Sequence, residues 1–255
     1  MNERLDPIRV LVLGDSLCFH GPDARLRTDD ERMFPNVMAR DLGVMSGRHA
    51  EAVVVARSGW NTRDLWELVT KDVWLQERLL PDADVVVLHG VGADALPVGV
   101  PTWAKDLIPR VPNPALRKRL RRLYARHHAG LVRLSAGRMR MVPRRVTLDL
   151  WPRLVDMVRF YSGAATVIAC GCPPTSGLLH GRVDPHSGAA TDDLRRLAAA
   201  KEVPFVDPQA LCDVAAYNPD GIHWDYESHR RVGQALADAA YRSLAAAPEI
   251  PIAGH

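Results

Sequence analysis

The sequence has few cysteines, few aromatic residues and no long apolar run. Four cysteines occur among 255 residues, and no cysteine–histidine cluster has the spacing of a zinc site. We therefore predict no metal, and we expect reduced, mostly buried thiols. No apolar run approaches the length of a membrane span, and the polar first seven residues lead directly into an apolar segment, which leaves no room for a signal peptide. These absences predict a cytoplasmic protein without a transmembrane segment.

The composition predicts one globular domain over residues 1–255. About half of the chain is apolar (47%) and a quarter is charged (25%), which is enough to build a full α/β core. The formal net charge is only +3, yet thirteen Lys or Arg and one acid lie between Lys105 and Arg145. The positive charge is therefore local, which is more typical of a site than of general polyanion binding.

The segment from Ile8 to Leu17 indicates a nucleophile. An apolar run predicts a strand that ends at Gly14, and Leu17 is expected to open a helix. This arrangement places the Ser16 hydroxyl above the carboxyl edge of the sheet, where open α/β sheets bind their ligands. The alternative is a plain strand-to-turn junction in which the serine caps a helix.

A second segment, near the end of the chain, carries an acid and a base. Asp220 and His223 are three residues apart in a loop that contains Pro219 and Gly221. An acyl-transfer serine needs a base to remove its proton and a group that orients this base. We predict that Asp220 holds one ring nitrogen of His223 while the other faces Ser16. The alternative for such a pair is a solvated loop.

Four sequence blocks together resemble the SGNH (GDSL) hydrolases. They are GDSL at 14–17, Ser58-Gly59 after the strand predicted over Ala52–Ala56, an Asp near the end of the third strand, and DGIH at 220–223. Within that superfamily the chain is most similar to the mycobacterial diglucosylglycerate octanoyltransferases. The matching pieces are GDSLCFHGP, SGWNTRDLW, GADALPVGVPT and YNPDGIHWDYESH.

The resemblance implies a fold, an activity and further site residues. The implied fold is a three-layer α/β/α sandwich with a five-stranded, mainly parallel sheet. The implied activity is transfer of octanoyl from acyl-coenzyme A to a sugar hydroxyl such as that of diglucosylglycerate, through an acyl-serine and without a cofactor. The N–H groups of Ser16 and Gly59 would receive the oxyanion. Where the superfamily has Gly-x-Asn-Asp, Ala93 replaces the Asn before Asp94. A third donor is therefore missing, or another group such as a backbone N–H of the glycine turn supplies it.

A basic helical insertion is predicted at about residues 97–160. Leucines at 116, 120 and 123 and a tyrosine at 124 recur at helical spacing beneath the arginines. We weigh three functions against a solvated surface: binding of coenzyme A phosphates or a sugar acid, binding of nucleic acid, and contact with a membrane surface. The residues predicted to bind substrate are Trp60, Asp94, Arg117, Arg121, Arg122 and Trp224.

Further elements are predicted from periodicity. They are helices over Asp29–Leu42, with Pro35 near its start, over Leu148–Phe160 and over Tyr226–Ala245, and a helix capped by Thr191. His180 and His186 are expected to be exposed.

Two other functions remain open. An esterase or thioesterase would use the same catalytic residues, with water as the acceptor. A non-catalytic nucleic-acid-binding protein would instead use the Arg-rich segment, although no recognition motif accompanies it.

Overall fold

A parallel five-stranded sheet organises the chain. The structure is a computed structural model that describes residues 6–22, 26–101, 104, 107–163, 165–177 and 180–246. The strands are β1 (Ile8–Gly14), β2 (Ala50–Ala56), β3 (Val85–Leu88), β4 (Thr166–Cys170) and β5 (Phe205–Val206). Their order is β2-β1-β3-β4-β5 and all pairs are parallel. This sheet confirms the predicted α/β fold. The strand order reverses between β1 and β3, and open α/β sheets bind their ligands at such a point.

Helices connect the strands and cover both faces of the sheet. The α-helices are α1 (Phe34–Ser46), α2 (Thr62–Lys71), α3 (Val91–Ala95), α4 (Pro114–Leu134), α5 (Arg144–Ser162), α6 (Ser187–Ala200) and α7 (Tyr226–Ala246). Single-turn 3-10 helices cover Ser16–Cys18, Ile108–Arg110, Pro208–Ala210 and Val214–Ala216, and a π-helical turn covers Leu75–Leu79. We call α4 the basic helix and α7 the C-terminal helix.

Two apolar clusters form the core, one on each face of the sheet. Alternate residues of β1 point to opposite faces, so Leu11 joins one cluster and Val12 the other. Helices α2, α5 and α6 pack on the Leu11 face, whereas α1 and the C-terminal helix pack on the Val12 face. The middle strand β3 is buried along its whole length, as a parallel strand between two helical layers must be.

Two predictions about individual elements are wrong. The helix predicted from Asp29 begins at Phe34, because a proline is tolerated only in the first turn of a helix and Pro35 fixes that turn. Thr191 does not cap a helix but lies inside α6, where its buried hydroxyl bonds the backbone N–H and C=O of Cys172. This contact ties α6 to the end of β4.

The predicted insertion includes a helix that belongs to the core. Helix α5 begins at Arg144, and it buries Trp151, Leu154, Val155 and Val158. The part of the insertion that lies outside the three layers therefore ends before residue 144, about 17 residues earlier than expected from the sequence.

The cysteines are free thiols in the structure, and Cys18, Cys170 and Cys172 are buried. Burial raises the pKa of each of these three thiols, which makes them poor nucleophiles. Among the helices that the structure describes, none is both long and apolar enough to cross a membrane.

Candidate active site

The serine of the first block lies directly after β1. It stands in a single 3-10 turn, Ser16–Cys18, where the sequence predicts a longer helix from Leu17. Gly14 makes this tight turn possible, because a Cβ at that position would lie 2.7 Å from the carbonyl oxygen of His89. The close approach of β1 and the end of β3 thus holds Ser16 at the carboxyl edge of the sheet.

A hydrogen-bonded loop presents the histidine of the last block. One carboxylate oxygen of Asp220 accepts the backbone N–H groups of Ile222 at 2.8 Å and of His223 at 3.0 Å. Gly221 has a φ of +69°, and a Cβ there would lie 2.6 Å from the carbonyl carbon of Ser176. Only glycine fits this turn without strain, so the loop has one well-defined shape.

The structure brings together the three predicted catalytic residues. The Asp220 Oδ2 lies 2.5 Å from His223 Nδ1, and His223 Nε2 lies 3.0 Å from Ser16 Oγ. Burial raises the pKa of Asp220, but hydrogen bonds from the His223 side chain and from two backbone N–H groups outweigh it and leave the pKa below its ordinary value. An ionised Asp220 orients His223 so that Nε2 can accept the serine proton.

The second block supplies a candidate oxyanion donor. A β-turn after β2 closes with a 3.1 Å hydrogen bond from the Trp60 N–H to the carbonyl oxygen of Arg57. Gly59 is the third residue of this turn and has the positive φ of +76° that a type II turn requires there. The hydrogen bond of the turn does not use the Gly59 N–H. The Arg57 N–H contacts the Gly14 carbonyl oxygen at 3.4 Å, which joins this turn to the serine loop.

The third block supplies no side-chain donor, and its acid is structural. Ala93 is buried and has no polar side-chain atom to offer. Asp94 is fully buried and accepts the Thr62 N–H at 2.8 Å and the Thr147 hydroxyl at 2.5 Å. Burial raises the pKa of Asp94 despite these bonds. Asp94 thus joins the start of α2 to α5, and this position does not fit the predicted contact with substrate.

Of the two predicted tryptophans, one lies in the core. Trp224 is fully buried against Phe34 and His89, with ring centroids 5.8 and 5.7 Å away. Direct contact with a substrate therefore does not fit Trp224, although it follows the catalytic histidine in sequence. Trp60 is half-buried beside the core cluster of α2, and its predicted role in binding stays a prediction.

Two histidines that the sequence analysis did not select support the catalytic imidazole. The ring of His20 stacks on that of His223, with centroids 3.7 Å apart and planes at 20°. Behind it, His229 Nε2 lies 3.3 Å from the His20 carbonyl oxygen, while its Nδ1 accepts the Phe34 N–H at 3.4 Å. Burial lowers the pKa of His229 to about 3, so this ring is neutral and can both donate and accept. The available sequence signal was His20 in the first matching block, GDSLCFHGP.

His89, at the end of β3, is also neutral. It is fully buried and lies 3.6 Å from a carboxylate oxygen of Asp15. Burial lowers the pKa of His89, and the nearby carboxylate only partly opposes this effect. We assign this ring to the core beneath the serine loop.

The three predicted arginines lie on the basic helix. Arg121 and Arg122 are exposed, and Arg117 is half-buried with one nitrogen 3.3 Å from the Val111 carbonyl oxygen. In the part of the chain that the structure describes, no hydrogen bond joins them to Ser16 or His223. They remain candidate ligands for an anionic group beside the site.

The basic helix reaches the catalytic loop through one intermediate segment. The ring of His128 on this helix lies edge-on to that of His180, with centroids 5.5 Å apart. His180 is buried, contrary to expectation, and its Nδ1 is 2.8 Å from the Pro97 carbonyl oxygen. The same segment continues to Ser176, whose N–H donates to the Gly221 carbonyl oxygen at 2.8 Å. His186 is half-buried beside this segment.

No group of three or more His, Cys, Asp or Glu side chains could hold a metal ion within the described ranges. The assembled chemistry is instead that of a nucleophilic hydroxyl with an oriented base, which serves acyl transfer to a sugar or to water.

Comparison with known proteins identifies the family. The model of the GDSL-like lipase/acylhydrolase family matches residues 12–231. The chain belongs to this family. As a GDSL-like acylhydrolase it is an enzyme of the acyltransferase or esterase class, which argues against the non-catalytic alternative.

Two relatives of this GDSL-like enzyme are named diglucosylglycerate octanoyltransferase. The protein from Mycolicibacterium hassiacum is 30% identical over 93% of this chain and 95% of its own length. The one from Mycobacterium tuberculosis is 29% identical over 93% of this chain and 92% of its own. The resemblance stated from the sequence is thus confirmed.

Solved structures share the fold of the GDSL-like enzyme. Est24, a carbohydrate acetylesterase from Sinorhizobium meliloti, superposes with a TM-score of 0.60 at 19% identity, covering 93% of this chain and 99% of its own. The aryl esterase of M. smegmatis has a TM-score of 0.54 at 20% identity, with the same coverage. At these identities the likeness concerns the fold alone.

Proposed function

We propose that this enzyme transfers a medium-chain acyl group, octanoyl, from acyl-coenzyme A to a sugar hydroxyl such as that of diglucosylglycerate. The observation that carries the proposal is the Asp220–His223–Ser16 hydrogen-bonded series, with its 2.5 and 3.0 Å contacts. The names of the two relatives support the acyl length and the acceptor.

The first half of the reaction forms an acyl-serine. Ser16 Oγ attacks the thioester carbonyl carbon while His223 Nε2 takes its proton, and Asp220 stabilises the imidazolium. The N–H groups of Ser16 and Gly59 stabilise the oxyanion. The intermediate collapses as the carbon–sulfur bond breaks, and His223 returns the proton to the departing thiolate.

The second half transfers the acyl group. His223 removes a proton from the acceptor hydroxyl, whose oxygen attacks the acyl-serine carbonyl carbon. The bond to Ser16 Oγ then breaks, and this oxygen recovers the proton from His223. Water in the place of the sugar would give hydrolysis with the same residues, so the acceptor decides between transferase and esterase.

The basic helix is proposed to bind the anionic donor. Arg117, Arg121 and Arg122 offer guanidinium groups for the phosphates of coenzyme A. Reversal of all three to Glu should raise the donor KM about tenfold and leave kcat nearly unchanged. Unchanged kinetics would discard this role.

Mass spectrometry of the products tests the acceptor. The enzyme is incubated with octanoyl-coenzyme A, with and without a panel of glucosylated acceptors that includes diglucosylglycerate. We expect an octanoylated sugar ester whenever the right acceptor is present, and little free octanoate. Free octanoate at the same rate in every sample would instead indicate a thioesterase.

A serine probe tests the catalytic residues. A fluorophosphonate should label Ser16 in the native enzyme, and labelling should fall by about 10³-fold or more in His223→Ala. Ser46→Ala, at the end of α1, is the matched control and should keep full labelling. Equal labelling of the native enzyme and His223→Ala would contradict the proposed base.

A further inference from the structure

The basic helix exposes leucines to solvent. Leu116, Leu123 and Leu134 are 46%, 53% and 86% exposed, and Val132 is the one residue of this helix that is fully buried. The sequence pattern predicts Leu116 and Leu123 beneath the arginines, on a packed face. Their exposure leaves an apolar strip along one flank of a 21-residue helix, which is a feature typical of interaction surfaces.

Among the residues that the structure describes, the cations of this helix have no acidic partners. Lys118, Arg119, Arg121, Arg122, Arg126 and Arg133 are all exposed. Over the described ranges none of them forms an ion pair, whereas ten arginines outside this helix do. Like charges on one helix repel each other, so this unpaired set suits a surface that meets an anionic partner.

The arrangement of the exposed leucines and arginines around the basic helix favours a protein as its binding partner over a lipid bilayer. The half-buried residues, such as Arg117 and Tyr124, mark the side of the helix that faces the body. At 100° per residue, Arg119 and Arg126 lie about 160–200° from that side, and the exposed leucines lie about 100–120° from it. A helix on a bilayer directs its apolar face outward. Here the arginines point outward and the leucines form a flank.

The charge also exceeds what a small anionic donor needs. A coenzyme A molecule brings three phosphates, and Arg117, Arg121 and Arg122 offer one guanidinium group for each. Arg119, Arg126 and Arg133 recur every seven residues on the outward side, a spacing that matches an elongated acidic surface such as a helix of another protein. The basic helix contacts His180, and Ser176 in the segment before it bonds the loop that holds His223, so a partner on this helix docks beside the elements that position the catalytic base.

We propose that the basic helix docks an acidic carrier protein that presents the acyl group as a thioester on a phosphopantetheine arm. The arginines bind the acidic side chains of the carrier, and the leucine flank covers its apolar residues. This inference rests on the proposed function, because the arm must deliver its thioester to Ser16. It adds the partner that supplies the acyl group.

The test compares two donors on two charge-reversed variants of the full-length enzyme. The donors are octanoyl-acyl carrier protein and octanoyl-coenzyme A. Arg119→Glu/Arg126→Glu alters the outward side of the basic helix. The matched control, Arg78→Glu/Arg242→Glu, reverses two exposed arginines that form no ion pair in the described structure.

Binding and turnover are measured separately. For the basic-helix variant, the Kd of the holo carrier protein by fluorescence anisotropy and the KM of the octanoyl carrier should each rise about tenfold or more. Its kcat and its kinetics with octanoyl-coenzyme A should stay within about twofold of the native enzyme. The control variant should match the native enzyme with both donors. Leu116→Gln/Leu123→Gln should also weaken carrier binding, without changing the charge.

Three results would overturn the docking proposal. The first is equal carrier binding by the native enzyme and the basic-helix variant. The second is an equal rise of KM for octanoyl-coenzyme A, which would assign the arginines to that donor. The third is loss of binding to phosphatidylglycerol vesicles with unchanged carrier kinetics, which would assign the helix to a membrane. Charge-dependent carrier binding without turnover of either thioester would support docking and refute the proposed function instead.

Discussion

Two helices of equal length behave differently in this enzyme. The C-terminal helix and the basic helix each have 21 residues and an amphipathic sequence. The first buries eight residues, packs against α1 and pairs Arg230 and Arg231 with Glu227. The second buries one residue and pairs none of its cations within the described ranges. An amphipathic pattern therefore predicts a helix but does not determine whether its apolar face is covered.

The difference comes from what each helix meets. Gly233 lets the C-terminal helix approach α1 so closely that a Cβ there would lie 2.7 Å from the Cβ of Val37. Ala237 and Ala240 are also fully buried on that helix. The basic helix is instead dominated by arginines and leucines, and around its Gly130 nothing lies within 4 Å of a Cβ. These side chains explain why the C-terminal helix packs closely on α1 and why the basic helix is solvated.

The largest expected difference between the two helices is the loss of stability when a leucine is truncated to alanine. Leu236→Ala on the C-terminal helix should lower the free energy of unfolding by about 2–5 kcal/mol, because Leu236 is fully buried. Leu123→Ala on the basic helix should lower it by less than about 0.5 kcal/mol, because that side chain is half exposed. Urea denaturation measures both. Similar losses would mean that the leucine flank is covered in the free enzyme.

A pair of glycine substitutions should change stability in opposite directions. Gly233→Ala should destabilise by about 1–3 kcal/mol, since its methyl group would overlap Val37 and the carbonyl oxygen of Phe34. Gly130→Ala should stabilise by about 0.5–1 kcal/mol, because alanine is the better helix former and the space is open. Thermal unfolding of both variants checks the signs. A destabilising Gly130→Ala would contradict the open surface.

The third contrast concerns catalysis. The C-terminal helix supports the catalytic imidazole through His229 and the stacked ring of His20. His20→Ala should lower kcat about 2–10-fold with KM unchanged, and His20→Phe should restore most of it, because an aromatic stack is worth about 0.5–1.5 kcal/mol. His128→Ala on the basic helix should leave kcat unchanged. If the kcat of His20→Phe does not exceed that of His20→Ala, His20 acts by other means than stacking.

The smallest effect is on the pH dependence of stability. Hydrogen bonds from Arg230 and then Arg231 lower the pKa of Glu227 to about 2. A lowered pKa in the folded state stabilises the fold above the ordinary value of about 4.5, and this contribution is lost as pH falls from there toward 2. Glu227→Gln should therefore lower the Tm slightly at pH 6 and not at pH 2. A Tm difference that persists at pH 2 would contradict a stabilising role of the ion pairs of Glu227 with Arg230 and Arg231.

Much of the site could be predicted because its chemistry is local in sequence. Ser16 and the Asp220–His223 pair each lie within short motifs that also specify their turns. Trp224 and Asp94 were misassigned because closeness to a motif does not determine where a side chain points: Trp224 turns into the core, and Asp94 caps α2. His20 was missed because its stacking depends on how His229 and α1 hold its backbone, which only the tertiary structure determines.

The strands were more predictable than the helix limits. Apolar runs for buried parallel strands are distinctive, so the strands predicted to end at Gly14 and to cover Ala52–Ala56 match β1 and β2 within two residues. The role of Thr191 depends on a side-chain contact between distant segments, its bond to Cys172. Local patterns do not contain that information.

The 207-residue separation between Ser16 and His223 has a consequence for biosynthesis. The ribosome synthesises the nucleophile before its general base, and chains acquire structure from the amino terminus during translation. A nascent or prematurely terminated polypeptide thus carries a serine that nothing deprotonates. The hydrogen-bonded catalytic series can form only once synthesis has passed His223.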